Sequence, residues 1–383
     1  MTPARAGLSA FDIGMRIYSE NDAASWLQMV FRAFPAFSDL DLQSEMEPVV
    51  MVHGKRIVLP RTMDHNEVVQ VVEALYPNGW AFLQREQGGA NTAYSLQIAH
   101  HDAHGLPERV RLRFNAVLCR DPINPSAKSA GIQVTMRAIS ESPPDWRTLQ
   151  IPDDVLENFF FPDGIVLVTG PTGSGKSTLM AAMIGRALED ERFEHHKFIT
   201  AEAPIEFVFR HPRVSQSEIP RHIQTFDRAI EEAMRRRPNV IMVGELRDRA
   251  TIIAALTAAM TGHYVLGTLH ATGVANAVAR TVKSFPREEA DSLANDLCDS
   301  LRMVISQRLL PAPDGTLQAV REWLIFTEEM RLQLLKTPFD RLTPTISEMV
   351  KAYGHPFAED ARAWHAKGRI TDHALQWLLS SYG

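Results

Sequence analysis

The sequence predicts an α/β protein made of two domains and a helical C-terminal tail. At roughly 100–200 residues per domain, a chain of 383 residues is long enough for two. Residues 109–114 alternate between arginine and apolar residues, which is the pattern of a strand with one buried face. From Ile165 onward, short β-branched runs alternate with longer helical patterns. That alternation predicts a parallel sheet with helices on both faces.

The first domain is predicted at residues 22–140, as a small α/β domain behind an N-terminal tail of residues 1–21. Apolar residues recur with helical spacing in two segments, 26–34 and 66–75. Alternating or β-branched runs predict strands at residues 40–43, 49–53, 94–98, 110–118 and 132–136.

A linker is predicted at residues 141–155, because residues 140–152 contain three prolines and little periodicity. The second domain follows at residues 156–330. Its predicted strands, in chain order, are residues 165–169, 197–200, 240–243 and 264–269, and its helices begin after Ser177 and cover 226–236 and 249–260. The tail, residues 331–383, is predicted as helices broken at Pro338, Pro344 and residues 354–356.

The composition excludes several classes of protein. With 45% hydrophobic and 22% charged residues, the chain is not extensively disordered. No run approaches the ~20 apolar residues of a membrane span, and the N-terminus lacks the apolar core of a secretory signal. Cys119 and Cys298 cannot build a disulfide framework, which favours a cytoplasmic location. A net charge of −6 argues against bulk nucleic-acid binding.

The most specific motif is a glycine-rich segment between a predicted strand and a predicted helix. Its residues are Gly170, Pro171, Thr172, Gly173, Ser174, Gly175, Lys176, Ser177 and Thr178. In a phosphate-binding loop of this order, the glycines let successive backbone N–H groups face a phosphate, and the helix adds its positive end. Lys176 would reach the β- and γ-phosphates, and Ser177 would bind Mg²⁺. The sequence therefore predicts a site for a nucleoside triphosphate such as ATP.

Chemically active side chains follow the later strands of the second domain. Glu202 and Glu206 come after its second predicted strand, Glu245 after the third and His270 after the fourth. Ligands of open parallel sheets bind beyond the carboxyl ends of the strands, which places these side chains beside the phosphates. Glu245 would polarise water or hold the Mg²⁺ shell, and His270 could hydrogen-bond the γ-phosphate. The alternative for each is a strand that simply ends in a polar surface residue.

Together these motifs resemble the secretion and pilus ATPase family, which includes pilus-retraction ATPases and the DotB/TraJ-type ATPases of type IVB secretion and conjugation. The matching segments are residues 170–178 (Walker A), 202–206 (EAPIE, the acidic box), 237–248 (RPNVIMVGELRD, Walker B), 261–270 (TGHYVLGTLH, the His box), 305–311 (a recurrent helix of the family) and 368–371 (its closing helix pair).

Two departures from the family pattern redistribute the predicted roles. Ala203 stands where the acidic box usually has Asp, so no carboxylate can act at that position. The catalytic role is therefore assigned to Glu202, Glu206 and chiefly Glu245. Residues 236–239 (RRPN) replace the usual Gln-Asp-Pro-Asp. The alanine and the tail resemble the DotB/TraJ side of the family more than the pilus-retraction side.

The resemblance implies a PAS-like first domain, a RecA-like P-loop NTPase second domain and a ring of six subunits with ATP at the interfaces. In such a ring the first domain presents arginines to the nucleotide. Arg111 and Arg113 share one face of a predicted strand, spaced to reach one phosphate chain. The alternative is a solvated basic strand face.

The predicted function is a homo-oligomeric, Mg²⁺-dependent ATPase motor that powers a type IVB or conjugative secretion apparatus. It would dock at the inner membrane from the cytoplasmic side through partners, and no metal other than Mg²⁺ is expected. Alternatives are a pilus-retraction ATPase and a nucleotide-gated scaffold with little turnover. A RecA-like nucleic-acid motor is disfavoured by the charge of −6 and the lack of a basic, aromatic stripe.

Overall fold

The computed structural model describes residues 14–35, 37–52, 55–76, 78–86, 89–101, 107–120, 130–139, 142–283 and 285–382. The chain divides into two compact units, Met1–Glu141 and Ser142–Gly383. Most of the predicted N-terminal tail, residues 1–13, lies outside the described residues.

The first unit is an antiparallel sheet with helices. Its helices are α1 (Glu20–Ala33), α2 (His65–Leu75) and α3 (Gly79–Glu86), and its strands are β1 (Phe37–Gln43), β2 (Val49–Val52), β3 (Lys55–Val58), β4 (Ala90–His101), β5 (Pro107–Arg120) and β6 (Ala130–Ile139). The described strands lie in the order β3-β2-β1-β6-β5-β4, and each pairs antiparallel with its neighbour. All five predicted strands and both predicted helices of this unit are present.

The alternation noted at residues 109–114 sets the buried face of β5. Leu112 and Phe114 are fully buried in one apolar cluster with Trp26 of α1 and Val68 of α2. Helix α2 begins with a capping box, in which Asp64 and Glu67 each accept a hydrogen bond from the other's backbone N–H. Side-chain burial on one sheet face thus holds the two helices against the strands.

The second unit is built on a mixed, mostly parallel sheet. Its strands are β7 (Gly164–Thr169), β8 (Phe198–Glu202), β9 (Val214–Glu218), β10 (Val240–Val243), β11 (Tyr264–Leu269), β12 (Leu301–Pro311) and β13 (Leu317–Ile325). The described order is β13-β12-β7-β11-β10-β8-β9, and only the pairing of β13 with β12 is antiparallel. Its helices are α4 (Asp153–Asn158), α5 (Lys176–Glu189), α6 (Phe226–Met234), α7 (Arg249–Met260), α8 (Val274–Lys283) and α9 (Arg287–Ser300).

Both faces of this sheet are buried, as the continuous apolar runs of its strands require. In β7, Ile165 and Leu167 belong to the large cluster that includes residues of α6 to α9. Val166 and Val168 point the other way, into a cluster with Leu179 of α5 and residues of α4. The strand–helix alternation from Ile165 therefore predicted this α/β architecture correctly.

One predicted helix is wrong. Residues 305–311, interpreted by resemblance as a helix, lie in strand β12, which pairs in parallel with β7 and antiparallel with β13. A short apolar run cannot be assigned to helix or strand from periodicity alone. Here the run is a strand because Val304 and Ile305 bury side chains on opposite faces of the sheet.

The tail forms helices α10 (Glu328–Leu335), α11 (Phe339–Tyr353), α12 (Phe357–Ala366) and α13 (Asp372–Tyr382). The predicted breaks at Pro338 and residues 354–356 are present, but Pro344 lies inside α11. A proline this near a helix start removes a single hydrogen bond, and the buried Leu342 and Ile346 on either side of it hold the helix in place.

The tail also covers the outer edge of the sheet. His355 exchanges two backbone hydrogen bonds with Trp323 of β13, at 3.1 and 2.9 Å, and the two rings stack. Phe357 and Leu378 of α12 and α13 are fully buried in a cluster with Val320 of β13. Within the described chain, no helix combines the length and apolar character needed to cross a bilayer.

Candidate functional site

The glycine-rich loop connects β7 to α5 and is held against β12. Gly170 and Gly175 have φ angles of +148° and +82°, a region that L-residues rarely adopt. A Cβ at Gly170 would lie 2.3 Å from the carbonyl oxygen of Gln307, and one at Gly175 would lie 2.8 Å from its Nε2. Glycine is therefore required for both the backbone conformation and the close approach of β12.

Lys176 begins α5 and closes the loop upon itself. Its Nζ donates hydrogen bonds to the carbonyl oxygens of Gly170 at 2.9 Å and Pro171 at 3.0 Å. Burial lowers the pKa of the Lys176 ammonium, while the charges of Glu245 and Glu206 act in the opposite direction. Both carboxylates are thus close enough to act electrostatically on the lysine of the loop.

The hydroxyl residues of the loop differ in exposure. Ser174 is buried, and its Oγ has no hydrogen-bond partner among the described residues. Ser177 and Thr178, in the first turn of α5, are half-buried, whereas Thr172 is exposed. A buried hydroxyl without a partner is uncommon in a folded protein, and here it lies in the loop predicted to surround a phosphate.

Glu245 and His270 face each other at the carboxyl edge of the sheet. They follow β10 and β11, which are adjacent and parallel, so the two strand ends adjoin. Glu245 Oε1 lies 3.4 Å from His270 Nε2, and both side chains are about one-third exposed. Burial and the charge of Lys176 lower the pKa of His270, although the charge of Glu245 acts in the opposite direction, and the net effect favours the neutral imidazole.

Thr268 fixes the backbone beneath this pair. It is buried on β11, and its hydroxyl donates a hydrogen bond to the carbonyl oxygen of Gly244, the residue before Glu245. The hydroxyl of Thr268 is therefore engaged in holding the end of β10.

Glu202 is buried at the end of β8 rather than open to solvent. Its Oε1 accepts hydrogen bonds from Thr200 Oγ1 at 2.6 Å and Gln216 Nε2 at 3.0 Å. Burial raises the pKa of Glu202 to about 7 despite these bonds and one from the backbone N–H of Glu206. Ala203, next in the chain, is exposed. Glu202 can therefore hold a proton near neutral pH, which an exposed glutamate cannot.

The second unit thus brings together Lys176, Glu206, Glu245 and His270. Glu202 is buried and accepts a hydrogen bond from the backbone N–H of Glu206. Arg111 and Arg113 belong to β5 in the first unit, where Arg111 is buried and Arg113 half-buried. Their predicted contribution to the nucleotide site stays a prediction.

Sequence reasoning missed Gln307, which supports the loop from β12. Its Nε2 donates a 2.6 Å hydrogen bond to the carbonyl oxygen of Ser174. The sequence offers only a weak signal for it, a single amide residue within residues 305–311. Because that segment was assigned to a helix, the contact of Gln307 with the loop was not predicted.

Comparison with known proteins identifies the family of this site. The sequence profile described as "Type II/IV secretion system protein" matches residues 107–343, well over half of the chain. The chain belongs to this family.

Two curated proteins are similar to this chain over different lengths. The uncharacterized protein YggR of Escherichia coli is 42% identical over 54% of this chain, which spans only 60% of YggR. The type IV pilus retractation ATPase PilT of Pseudomonas aeruginosa is 34% identical over 79% of this chain and 83% of PilT.

Solved structures of family members share this architecture. The ATPase DotB of Legionella pneumophila aligns with a TM-score of 0.84 and 33% identity over 96% of this chain and 97% of DotB. The pilus retraction motor PilT with bound ADP aligns with a TM-score of 0.74 and 28% identity over 92% of this chain and 96% of PilT. The predicted α/β fold and the predicted membership of the secretion and pilus ATPases are confirmed.

Proposed function

We propose that this chain is a Mg²⁺-dependent ATPase motor that drives a type IVB or conjugative secretion apparatus. The observation that supports this most directly is the convergence of Lys176, Glu245 and His270 beside a glycine loop at the carboxyl edge of the sheet. Phosphoryl transfer requires positive charge beside the phosphates and a group that positions the attacking water. Lys176 can supply the charge, Glu245 can position the water, and the imidazole of His270 can hydrogen-bond the γ-phosphate.

The phosphates would bind the loop. The backbone N–H groups of residues 170–178 and the start of α5 present positive partial charge, and Lys176 adds a full charge. The unpartnered Ser174 Oγ and the two glycines that admit no side chain fit a cradle for an anion. The ADP-bound relative PilT supports a nucleotide as the ligand.

Glu245 is the proposed general base, and it is also proposed to orient the attacking water. His270 Nε2 lies 3.4 Å from the Glu245 carboxylate. In its neutral form the imidazole can donate or accept a hydrogen bond without adding negative charge beside the phosphates. The negative charge of Glu206 acts on Lys176. Glu202 is proposed to hold residues 202–206, the acidic box, in place. Arg111 and Arg113 are proposed to reach the nucleotide of a neighbouring subunit in a ring of six.

Mg²⁺, when bound, would neutralise charge on the β- and γ-phosphates and would be held by Ser177 and, through water, Glu245. In the described residues, no three His, Cys, Asp or Glu side chains are grouped to hold a metal ion. The two ligands proposed here, Ser177 and Glu245, suit Mg²⁺ because this ion keeps several waters and takes one or two protein ligands together with phosphates.

The type IVB or conjugative assignment rests on the DotB-like structure over nearly the whole chain. A pilus-retraction ATPase is the second candidate, favoured by the relationship to PilT over 83% of PilT. In both cases the protein would act at the cytoplasmic face of the inner membrane, docked through partner proteins. Deletion of the gene in its source bacterium separates the two: loss of plasmid transfer or protein export supports the first, and loss of twitching motility the second.

The ATPase itself is tested with Glu245→Gln. We expect a fall in steady-state ATP hydrolysis of about 10²–10⁴-fold, the range for loss of a general base, with Mg–ATP binding retained by calorimetry. Glu232→Gln is the matched control, since this half-buried glutamate of α6 pairs with Arg235 of the same helix end, and it should leave both quantities unchanged. An unaltered rate in Glu245→Gln would remove Glu245 as the base, and a wild-type protein that binds ATP with negligible turnover would favour the scaffold.

A further inference from the structure

A buried chain of hydrogen bonds leads away from the phosphate loop. It starts at the carbonyl oxygen of Ser174, which accepts from Gln307 Nε2 at 2.6 Å. Gln307 Oε1 in turn accepts from Nε of Arg321, its direct neighbour on β13, at 2.8 Å. Both side chains are almost completely buried. Each end of the Gln307 amide is therefore committed to one specific partner.

Arg321 extends this chain to the beginning of the second unit. Its Nη1 and Nη2 donate to the carbonyl oxygens of Gln150 and Leu149 at 3.0 and 3.1 Å. These residues end the short 3₁₀ helix Trp146–Leu149, in the segment that follows the first unit in sequence. The backbone N–H of Arg321 donates to Asp360 Oδ2 of α12 at 2.7 Å. One side chain thus joins the loop support to the connecting segment.

The connecting segment has a conformation that needs such support. Gln150 has φ +49° and ψ +48°, the left-handed region, which costs free energy for a residue with a side chain. Its carbonyl oxygen is one of the two that Arg321 holds. A buried guanidinium is costly to desolvate, and burial lowers the pKa of Arg321 to about 10 although Asp360 acts in the opposite direction. An apolar side chain would fill the same space without that cost.

We propose that Gln307 and Arg321 form a relay that couples occupancy of the phosphate loop to the order of residues 142–152. The two are positioning residues, since they act through the backbone of Ser174 and touch no reacting atom. The proposal rests on the nucleotide site proposed above. When a nucleotide rearranges the loop, the Ser174 carbonyl shifts, and Gln307 must follow or lose a buried hydrogen bond. Arg321 then transfers that displacement to the carbonyls of Leu149 and Gln150.

Hydrogen exchange of the full-length chain tests this relay. Amide exchange in peptides covering residues 142–152 is measured by mass spectrometry with and without Mg–ADP, while calorimetry confirms nucleotide binding in the same samples. In the wild-type protein we expect nucleotide to change the exchange rate of these peptides. In Gln307→Met, Mg–ADP should bind with affinity reduced by no more than about tenfold, the equivalent of one buried hydrogen bond, and exchange in the segment should no longer respond.

Two further variants make the result decisive. Gln307→Glu retains an acceptor for Arg321 but loses the donor to Ser174. It should therefore also abolish the nucleotide response of residues 142–152, and it serves as the test if Gln307→Met does not fold. Arg302→Met is the control, because Arg302 lies at the other end of β12 and its side chain donates hydrogen bonds to Asp299 and Asp163. It should respond as the wild type does. For ATP hydrolysis, the Gln307 variants should lower kcat about tenfold while KM stays within about threefold.

Two outcomes would overturn the relay. One is a nucleotide response of residues 142–152 in the Gln307 variants equal to that of the wild type. The other is a wild-type protein that binds Mg–ADP with no change in this segment. A wild-type protein that binds no nucleotide would instead refute the proposed function, and calorimetry identifies that case separately.

Discussion

The buried carboxyl of Glu202 makes the stability of the second unit depend on pH. In the folded chain, burial raises its pKa to about 7, against an ordinary value of 4.5. The folded state therefore keeps this proton to a higher pH than the unfolded state does. The contribution of Glu202 to the unfolding free energy then falls as pH rises from about 4.5 to about 7, and is constant above that range. The difference of about 2.5 pH units corresponds to about 3 kcal/mol.

Glu202→Gln removes this dependence because the amide stays neutral and its oxygen can still accept from Thr200 and Gln216. At about pH 5 the variant should be more stable than the wild type by no more than about 1 kcal/mol, whereas at about pH 8 it should be more stable by up to about 3 kcal/mol. Urea denaturation at both pH values, read by hydrogen exchange in peptides of β8 and β10, isolates the second unit.

The wild-type unfolding free energy is subtracted from that of the variant at each pH, which cancels the contributions of the ionisable groups that the two proteins share. Glu232→Gln, at a half-buried position of α6, should show no pH-dependent difference of this size. If Glu202→Gln and the wild type change in parallel between pH 5 and pH 8, the carboxyl is ionised at both values, and the assigned burial effect is wrong.

Three other predictions concern the loop and the ring. Lys176→Ala should abolish detectable Mg–ATP binding in calorimetry with the fold intact by circular dichroism; binding at wild-type affinity would contradict the role of the lysine. Mixing Arg113→Ala subunits with Lys176→Ala subunits should restore some hydrolysis, because each lesion would damage a different half of a shared site; no recovery in confirmed mixed oligomers would contradict a shared site. Gly170→Ala should destabilise the chain by several kcal/mol, since its Cβ meets a carbonyl oxygen at 2.3 Å, whereas Gly173→Ala, with φ +77° and no atom within 4 Å, should cost only about 1 kcal/mol; equal losses in thermal unfolding would refute the steric argument.

The groups that the sequence located best are those fixed by local pattern. Lys176 lies within a contiguous motif, and Glu245 and His270 were placed by the rule that parallel strands present their carboxyl ends to a ligand. Their separation of 3.4 Å follows from the adjacency of β10 and β11. The strand–helix alternation predicted the parallel direction of the strands, whereas the adjacency of β10 and β11 was not predicted and comes from the structure.

Other features depend on partners that are far away in sequence. Gln307 and Ser174 are 133 positions apart, and only the pairing of β12 with β7 brings them together. The burial of Glu202 depends on Gln216 of β9, a short strand with little apolar pattern that the sequence did not indicate. Strand β3 was missed for a related reason: its four residues are exposed, so it has no buried face to produce alternation.

The contact between His355 and Trp323 has a practical consequence for anyone who trims this chain. The family profile ends at residue 343, which makes that position an inviting place to stop a shortened protein. Such a fragment would lose the two backbone hydrogen bonds from His355 and the side chains of α12 and α13. Strand β13 would then expose unpaired backbone amides and apolar side chains. An exposed edge of this kind promotes aggregation through intermolecular strand pairing. The residues after position 343 thus cover a strand edge that would otherwise be open to pairing with other chains.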